Sequence, residues 1–149
     1  RFSDYKRFDK KFIEGNNIVI RAKKTGQFSY IPLNNKLKRL LDKYDWLFST
    51  ISSQKFNDHI HEICRIAGFT ETVVRDRFYG NKKISEDIPR YKLISSHTAR
   101  RTFITISEQR GVSHSLIMKV TGIRSLKTLE NYIKIDKERL SEAIFNAWN

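Results

Sequence analysis

Apolar residues along the chain follow two rhythms, one alternating and one helical, and their order predicts most of the elements. Ile18, Ile20 and Ala22 alternate with Val19, Arg21 and Lys23, and Phe28-Ser29-Tyr30-Ile31-Pro32 follows a Gly26 turn, so this region predicts a β-hairpin with Lys23 and Lys24 at its tip. Val73-Val74-Arg75-Asp76-Arg77-Phe78, a Gly80-Asn81 turn and a run ending Tyr91-Lys92-Leu93-Ile94 predict a second hairpin rich in basic residues. The helical period governs the rest. Leu37, Leu40, Leu41 and Tyr44 mark one helix after Asn34 or Asn35, and Phe56, Ile60, Ile63 and Ala67 mark a second, capped by Ser53 and closed by Gly68. Ala99, Phe103 and Ile106 give a helix over residues 97–110, with Ser96 as N-cap and Gly111 as terminator. Ser113 opens a short helix with Leu116, Ile117 and Val120 that Gly122 ends, and Ser125 opens another in which Leu126, Leu129 and Ile133 face inward. From Asp136, the spacing of Leu140, Ala143, Ile144 and Ala147 predicts a tail helix over 136–149 that needs a groove on its own domain or a neighbour. The fold class expected is mainly α with a small antiparallel β-sheet.

Length and composition narrow the partners. A chain of 149 residues with 39% hydrophobic residues and ten Phe suits a single domain, 1–149, with its own core. It begins at Arg1-Phe2-Ser3-Asp4 without an initiator Met, so a fragment of a longer protein is expected. The net charge of +13 is spread through apolar stretches such as Lys36-Leu37-Lys38-Arg39-Leu40-Leu41, which assigns it to folded faces and points to nucleic acid. One cysteine, Cys64, excludes an internal disulfide and fits a reducing, cytoplasmic setting. No apolar run is long enough to span a bilayer, and no membrane partner is expected. His59 and His61 fall on different helix faces and Cys64 has no second cluster, so no metal and no cofactor is expected.

The densest chemistry lies in Ser96-His97-Thr98-Ala99-Arg100-Arg101. His97 and Arg100 are three residues apart near a helix N-terminus, where unpaired N–H groups favour an anion, so a proton-transfer group beside a fixed cation suits a phosphate. Alone, the same residues read as a solvated first turn, Lys23 and Lys24 as a soluble hairpin tip, and Tyr132 as a half-buried packing residue. Two short helices joined at Gly111 also fit a helix-turn-helix regulator.

The segment His97-Thr98-Ala99-Arg100-Arg101-Thr102-Phe103, then Gly111-Val112, then Thr121-Gly122 ten residues before Tyr132, resembles the catalytic domain of tyrosine recombinases, the phage integrase family. Leu126-Lys127-Thr128-Leu129-Glu130-Asn131-Tyr132 looks like integrases of Bacteroidetes mobile elements. Arg1-Phe2-Ser3-Asp4 is similar to that family's first-arginine box, and Lys24-Thr25-Gly26 to its hairpin lysine. The resemblance implies Tyr132 as nucleophile, Arg1 and Arg100 as the arginine pair, His97 as the histidine of H-x-x-R and Lys24 as the hairpin lysine. Lys23, Arg101 and Arg124 are then candidate DNA contacts. It also implies a catalytic-domain fragment whose N-terminal core-binding domain is absent, duplex DNA as partner, a homotetramer assembled through the tail helix or a monomeric fragment, and a bacterial cytoplasmic, nucleoid-associated location. One position departs: Ile123 stands where the family usually has His or Trp, which implies a weakened enzyme or an inactive DNA-binding relative. A type IB topoisomerase-like activity is a further alternative.

The chemistry explains those residue types. Two guanidinium forks neutralise a phosphodiester without a metal ion, in a geometry that lysine does not match. A tyrosine hydroxyl, with an ordinary pKa of about 10, needs nearby cations and a proton acceptor, for which His97 is the candidate. The leaving 5′ oxygen needs a proton, which Lys24 on a mobile hairpin tip would supply. The 3′-phosphotyrosyl product conserves the bond energy, so a second DNA end can reverse the step without ATP.

Overall fold

The computed structural model describes residues 1–48, 51–133 and residue 145. Helices and two small antiparallel sheets alternate along the chain. They divide into two compact units, Arg1–Lys10 with Asn35–Arg100, and Lys11–Asn34 with Arg101–Asn149. The expected tail helix, 136–149, lies outside the described residues apart from residue 145. No helix among the described residues is long and apolar enough to cross a membrane.

The first unit contains α1 (Phe2–Tyr5), α2 (Asn35–Lys43), α3 (Ser53–Ile66), the ribbon of β4 (Thr72–Tyr79) and β5 (Lys82–Pro89), and the start of α4 (Ser96–Gln109). Ser52, one residue before the expected cap, opens α3: its Oγ accepts from the Lys55 N–H at 3.2 Å. On α3 the half-buried face is Phe56, Asn57, Ile60, His61 and Cys64. This corrects the expected stripe, because Ile63 and Ala67 are exposed. After α2 the chain turns sharply at Asp45 and Trp46, both at positive φ. That turn buries the Trp46 ring and brings its indole N–H to Asp42 Oδ1 at 3.2 Å. Aromatic rings supply much of the remaining packing. Phe2 and Tyr5 meet Phe56 at centroid distances of 5.0 and 5.7 Å, and Tyr5 meets Phe48 at 6.0 Å. Each such pair contributes about 0.5–1.5 kcal/mol beyond the area it buries.

The second unit holds an antiparallel sheet in the order β1 (Ile13–Glu14), β2 (Asn17–Arg21), β3 (Phe28–Pro32). It also holds the rest of α4, α5 (His114–Thr121) and α6 (Leu126–Glu130). Ile18, Val19 and Ile20 are all buried, because β2 is the central strand and is covered on both faces. The alternation of the sequence had left Val19 on the polar side. Ile104, Ile117, Ile123 and Leu129 form the dry core of this unit, against which Met118, Tyr132 and Ile133 pack. Each fully buried aliphatic side chain there is worth about 1.5–3 kcal/mol. The expected α4 stripe is thus displaced: Ile104 is at 0% exposure, whereas Phe103 and Ile106 are at 43% and 41%. Leu126, expected to face inward, is likewise exposed.

Caps set where these helices stop. Gly122 ends α5 at φ +63, and a Cβ added there would stand 2.8 Å from Ser29 Oγ, so the turn needs a residue with no side chain. The consequence is a close approach of the α5 terminus to β3. Ser125 then opens α6 by accepting from the Thr128 N–H at 3.3 Å.

Candidate functional site

In the first unit, Arg1, His97 and Arg100 sit on two elements that α3 holds by adjacent residues. Phe56 stacks on Tyr5 and meets Phe2 at a tilt, fixing the short helix that Arg1 precedes, and the Arg1 carbonyl accepts from the Asp4 and Tyr5 N–H groups at 2.9 and 3.2 Å. Asn57 Oδ1 accepts from the Ser96 N–H at 2.9 Å, and Thr98 Oγ1 accepts from the Ser95 N–H at 3.0 Å. These two bonds satisfy N–H groups that would otherwise be unpaired at the start of α4. They fix the turn that carries His97, exposed, and Arg100, half-buried, on one side of the helix.

Charge couples the arginine-bearing elements. The buried carboxylate of Asp4 and the guanidinium of Arg100 both act on the backbone of Arg1, with opposite sign. Arg100 is therefore near enough to the Arg1 backbone for its charge to be felt there.

In the second unit, Lys23 and Lys24 occupy the turn between β2 and β3, both exposed. The turn is closed by backbone bonds from the Ala22 N–H to the Gln27 carbonyl and from the Gly26 N–H to the Ala22 carbonyl, both 2.8 Å. Arg21 Nε donates to the Gly26 carbonyl at 3.0 Å, and Arg124 Nη2 donates to the Thr25 carbonyl. With the Gln27 amide turned so that its oxygen faces the guanidinium, that oxygen also accepts from Arg124 Nε and Nη2, each at 3.1 Å. The tip expected to be mobile is held by two arginines. Arg124, expected to contact DNA, has donors engaged on the protein's own backbone.

No family model, no curated protein and no solved structure matches the chain. The site is therefore read from its own residues.

Tyr132 follows α6, half-buried against the core that contains Ile123. Its N–H donates to the Leu129 carbonyl at 2.8 Å, and its carbonyl accepts from Thr105 Oγ1 at 3.5 Å. The Tyr132 backbone is thus held by the α6 turn on one side and α4 on the other. Ile123 is 7% exposed among aliphatic neighbours, so it is part of the packed core on which Tyr132 lies. Arg101, in the second unit, is exposed on α4. Among the described residues, no group of three His, Cys, Asp or Glu side chains is arranged to hold a metal ion.

The structure thus associates Arg1 with Arg100, the Lys24 turn with Arg124, and Tyr132 with Ile123. Four positioning residues went unnoticed in the sequence. Phe56 read as one more apolar residue of a helical stripe, Arg21 as one polar position of an alternating strand, and Asn57 and Gln27 had no pattern around them, since the partners lie on other elements or across a turn.

Proposed function

We propose that the chain is the catalytic domain of a tyrosine recombinase, cleaving and rejoining duplex DNA through a 3′-phosphotyrosyl intermediate. The observation that carries this reading is the H-x-x-R turn of α4, fixed by Asn57, with Arg100 close enough to act electrostatically on the backbone of Arg1. A net charge of +13 supports a polyanionic partner.

On this reading Arg1 and Arg100 neutralise the non-bridging oxygens of the scissile phosphate. The Tyr132 oxygen attacks phosphorus and its proton passes to His97, while the bond to the 5′ oxygen breaks and Lys24 gives that oxygen a proton. Return of a 5′ hydroxyl to the phosphotyrosine releases the phenol and reseals the strand. Lys23 and Arg101, exposed beside the Lys24 turn and on α4, serve as phosphate contacts outside the reaction. A homotetramer on paired DNA sites, joined through the tail segment 136–149, and a bacterial cytoplasmic setting complete the proposal.

The buried aliphatic Ile123 favours a second reading, a relative that binds DNA and cleaves it weakly or not at all. One experiment separates the two. The full-length protein is incubated with labelled, nicked duplex DNA carrying its own element ends, and denaturation-resistant adduct is scored. Adduct from the native chain, absent from Tyr132→Phe with binding retained, supports the recombinase; binding with a steep salt dependence and no adduct supports the DNA-binding relative.

A further inference from the structure

We infer that Arg124 is a positioning residue that holds the Lys24 turn in place for proton delivery. The inference rests on the strand-transfer reading above, and its structural half stands on contacts within the second unit alone.

Three successive positions after Lys24 are tied. The Thr25 carbonyl accepts from Arg124, the Gly26 carbonyl from Arg21, and the Gln27 carbonyl from the Ala22 N–H, while the Gln27 side-chain oxygen takes two further bonds from Arg124. Lys24 therefore stands between Ala22, which both accepts and donates across the turn, and Thr25, whose carbonyl is held by a residue 99 positions away in sequence. A planar fork is what this arrangement requires, because one guanidinium serves a backbone carbonyl and a side-chain amide at once; a lysine ammonium has no such fixed spread.

Arg124 reaches the turn because of what precedes it. Gly122, in the left-handed region, closes α5 against β3, with Ser29 Oγ at 2.8 Å from where its Cβ would be. Ile123 then enters the core, which leaves Arg124 emerging at the level of the turn. The same three residues thus terminate a helix, fill the core beneath Tyr132 and brace the tip.

In cleavage, the electron pair of the bond between phosphorus and the 5′ oxygen moves onto that oxygen, and the proton from Lys24 Nζ completes the hydroxyl. A turn whose carbonyls lose their donors samples other backbone conformations, so the ammonium is less often where the proton is needed. Loss of Arg124 therefore affects the step that needs an acid and spares a step that does not.

The test uses two DNA substrates, ordinary duplex and duplex with sulfur replacing the bridging 5′ oxygen at the cleavage site, whose thiolate leaves without a proton. Arg124→Ala is expected to slow cleavage of ordinary DNA on the order of 10- to 100-fold. It should cleave the sulfur-bridged DNA within about twofold of the native rate, matching Lys24→Ala. Arg124→Lys keeps the charge without the fork and is expected to follow Arg124→Ala. The salt dependence of DNA binding should be unchanged, and amide exchange at Gly26 should accelerate in both variants. Equal slowing on both substrates, or a salt slope reduced by about one as for a lost phosphate contact, overturns the inference. Unchanged exchange at Gly26 overturns the brace itself. Absence of adduct from the native protein on both substrates is a different failure, that of the strand-transfer reading, and is visible without any variant.

Discussion

The two hairpins are both antiparallel and both basic, yet their arginines do different things. In the β2–β3 hairpin, Arg21 and Arg124 donate to backbone carbonyls at the tip, and β2 is buried on both faces. In the β4–β5 ribbon, the arginines lie along the strands. Arg75 and Arg77 share Glu86 at 2.5 and 3.2 Å, and Lys83 and Ser85 share Asp76 at 2.9 and 2.7 Å. A Cβ at Gly26 would touch the Arg21 guanidinium at 3.7 Å, whereas one at Gly80 would meet nothing within 4 Å. The longer ribbon, eight pairs in register from Thr72↔Pro89 to Tyr79↔Lys82, pairs Arg75, Arg77 and Lys83 with its own carboxylates and leaves its tip in open space. The shorter hairpin holds its backbone still and leaves its lysines exposed. Basic residues alone do not mark a chemical site; a basic residue on a backbone fixed by its neighbours is a better candidate.

The largest effect should separate the two tips by activity. Lys24→Ala is expected to lower DNA cleavage on the order of 10²- to 10⁴-fold in a single-turnover assay, as for loss of a general acid. Lys82→Ala, at the end of the ribbon, should leave the rate within about twofold. Comparable losses at both tips would erase the contrast.

Stability should separate the strands. Ile20 is 2% exposed and Val74 is 68% exposed. Ile20→Ala should cost about 2–5 kcal/mol in chemical denaturation, and Val74→Ala no more than about 0.5 kcal/mol.

The smallest effect is a difference in acid. Asp76 is held below the ordinary carboxylate range, first by the Ser85 hydroxyl and then by Lys83. A lowered folded-state pKa stabilises at pH above the unfolded value, and that contribution is lost as pH falls through the folded value. The ribbon should therefore loosen below about pH 4, read as faster amide exchange around Ser85 after correction for the intrinsic rate. The carbonyls of the β2–β3 tip do not titrate there, so its corrected protection should hold.

Much of this was legible in single residues. Gly122 and Ser125 bounded helices because a left-handed turn and an oxygen at an N-cap are local requirements, satisfied within four residues. The faces of α3 and α4 were less legible. Ala99, Phe103 and Ile106 fit the helical period well, but the core of the second unit receives Ile104, and burial is decided by the partner surface. The strand β1 is two residues long, too short to show alternation. Among the candidate residues, His97 and Arg100 stood out by their chemistry and spacing, whereas positions 1, 24 and 132 were picked out by the family resemblance. The brace by Arg124 stood out by neither, because nothing near it in sequence indicates a carbonyl 99 residues away.

The central claim is that the phenol of Tyr132 becomes joined to DNA. The direct measurement is peptide mass spectrometry of the protein trapped on nicked DNA, after nuclease and trypsin digestion. The account predicts nucleotide attached to the peptide containing Tyr132 and to no other. Attachment at a different tyrosine, or a fully DNA-bound protein with every tyrosine unmodified, would contradict it.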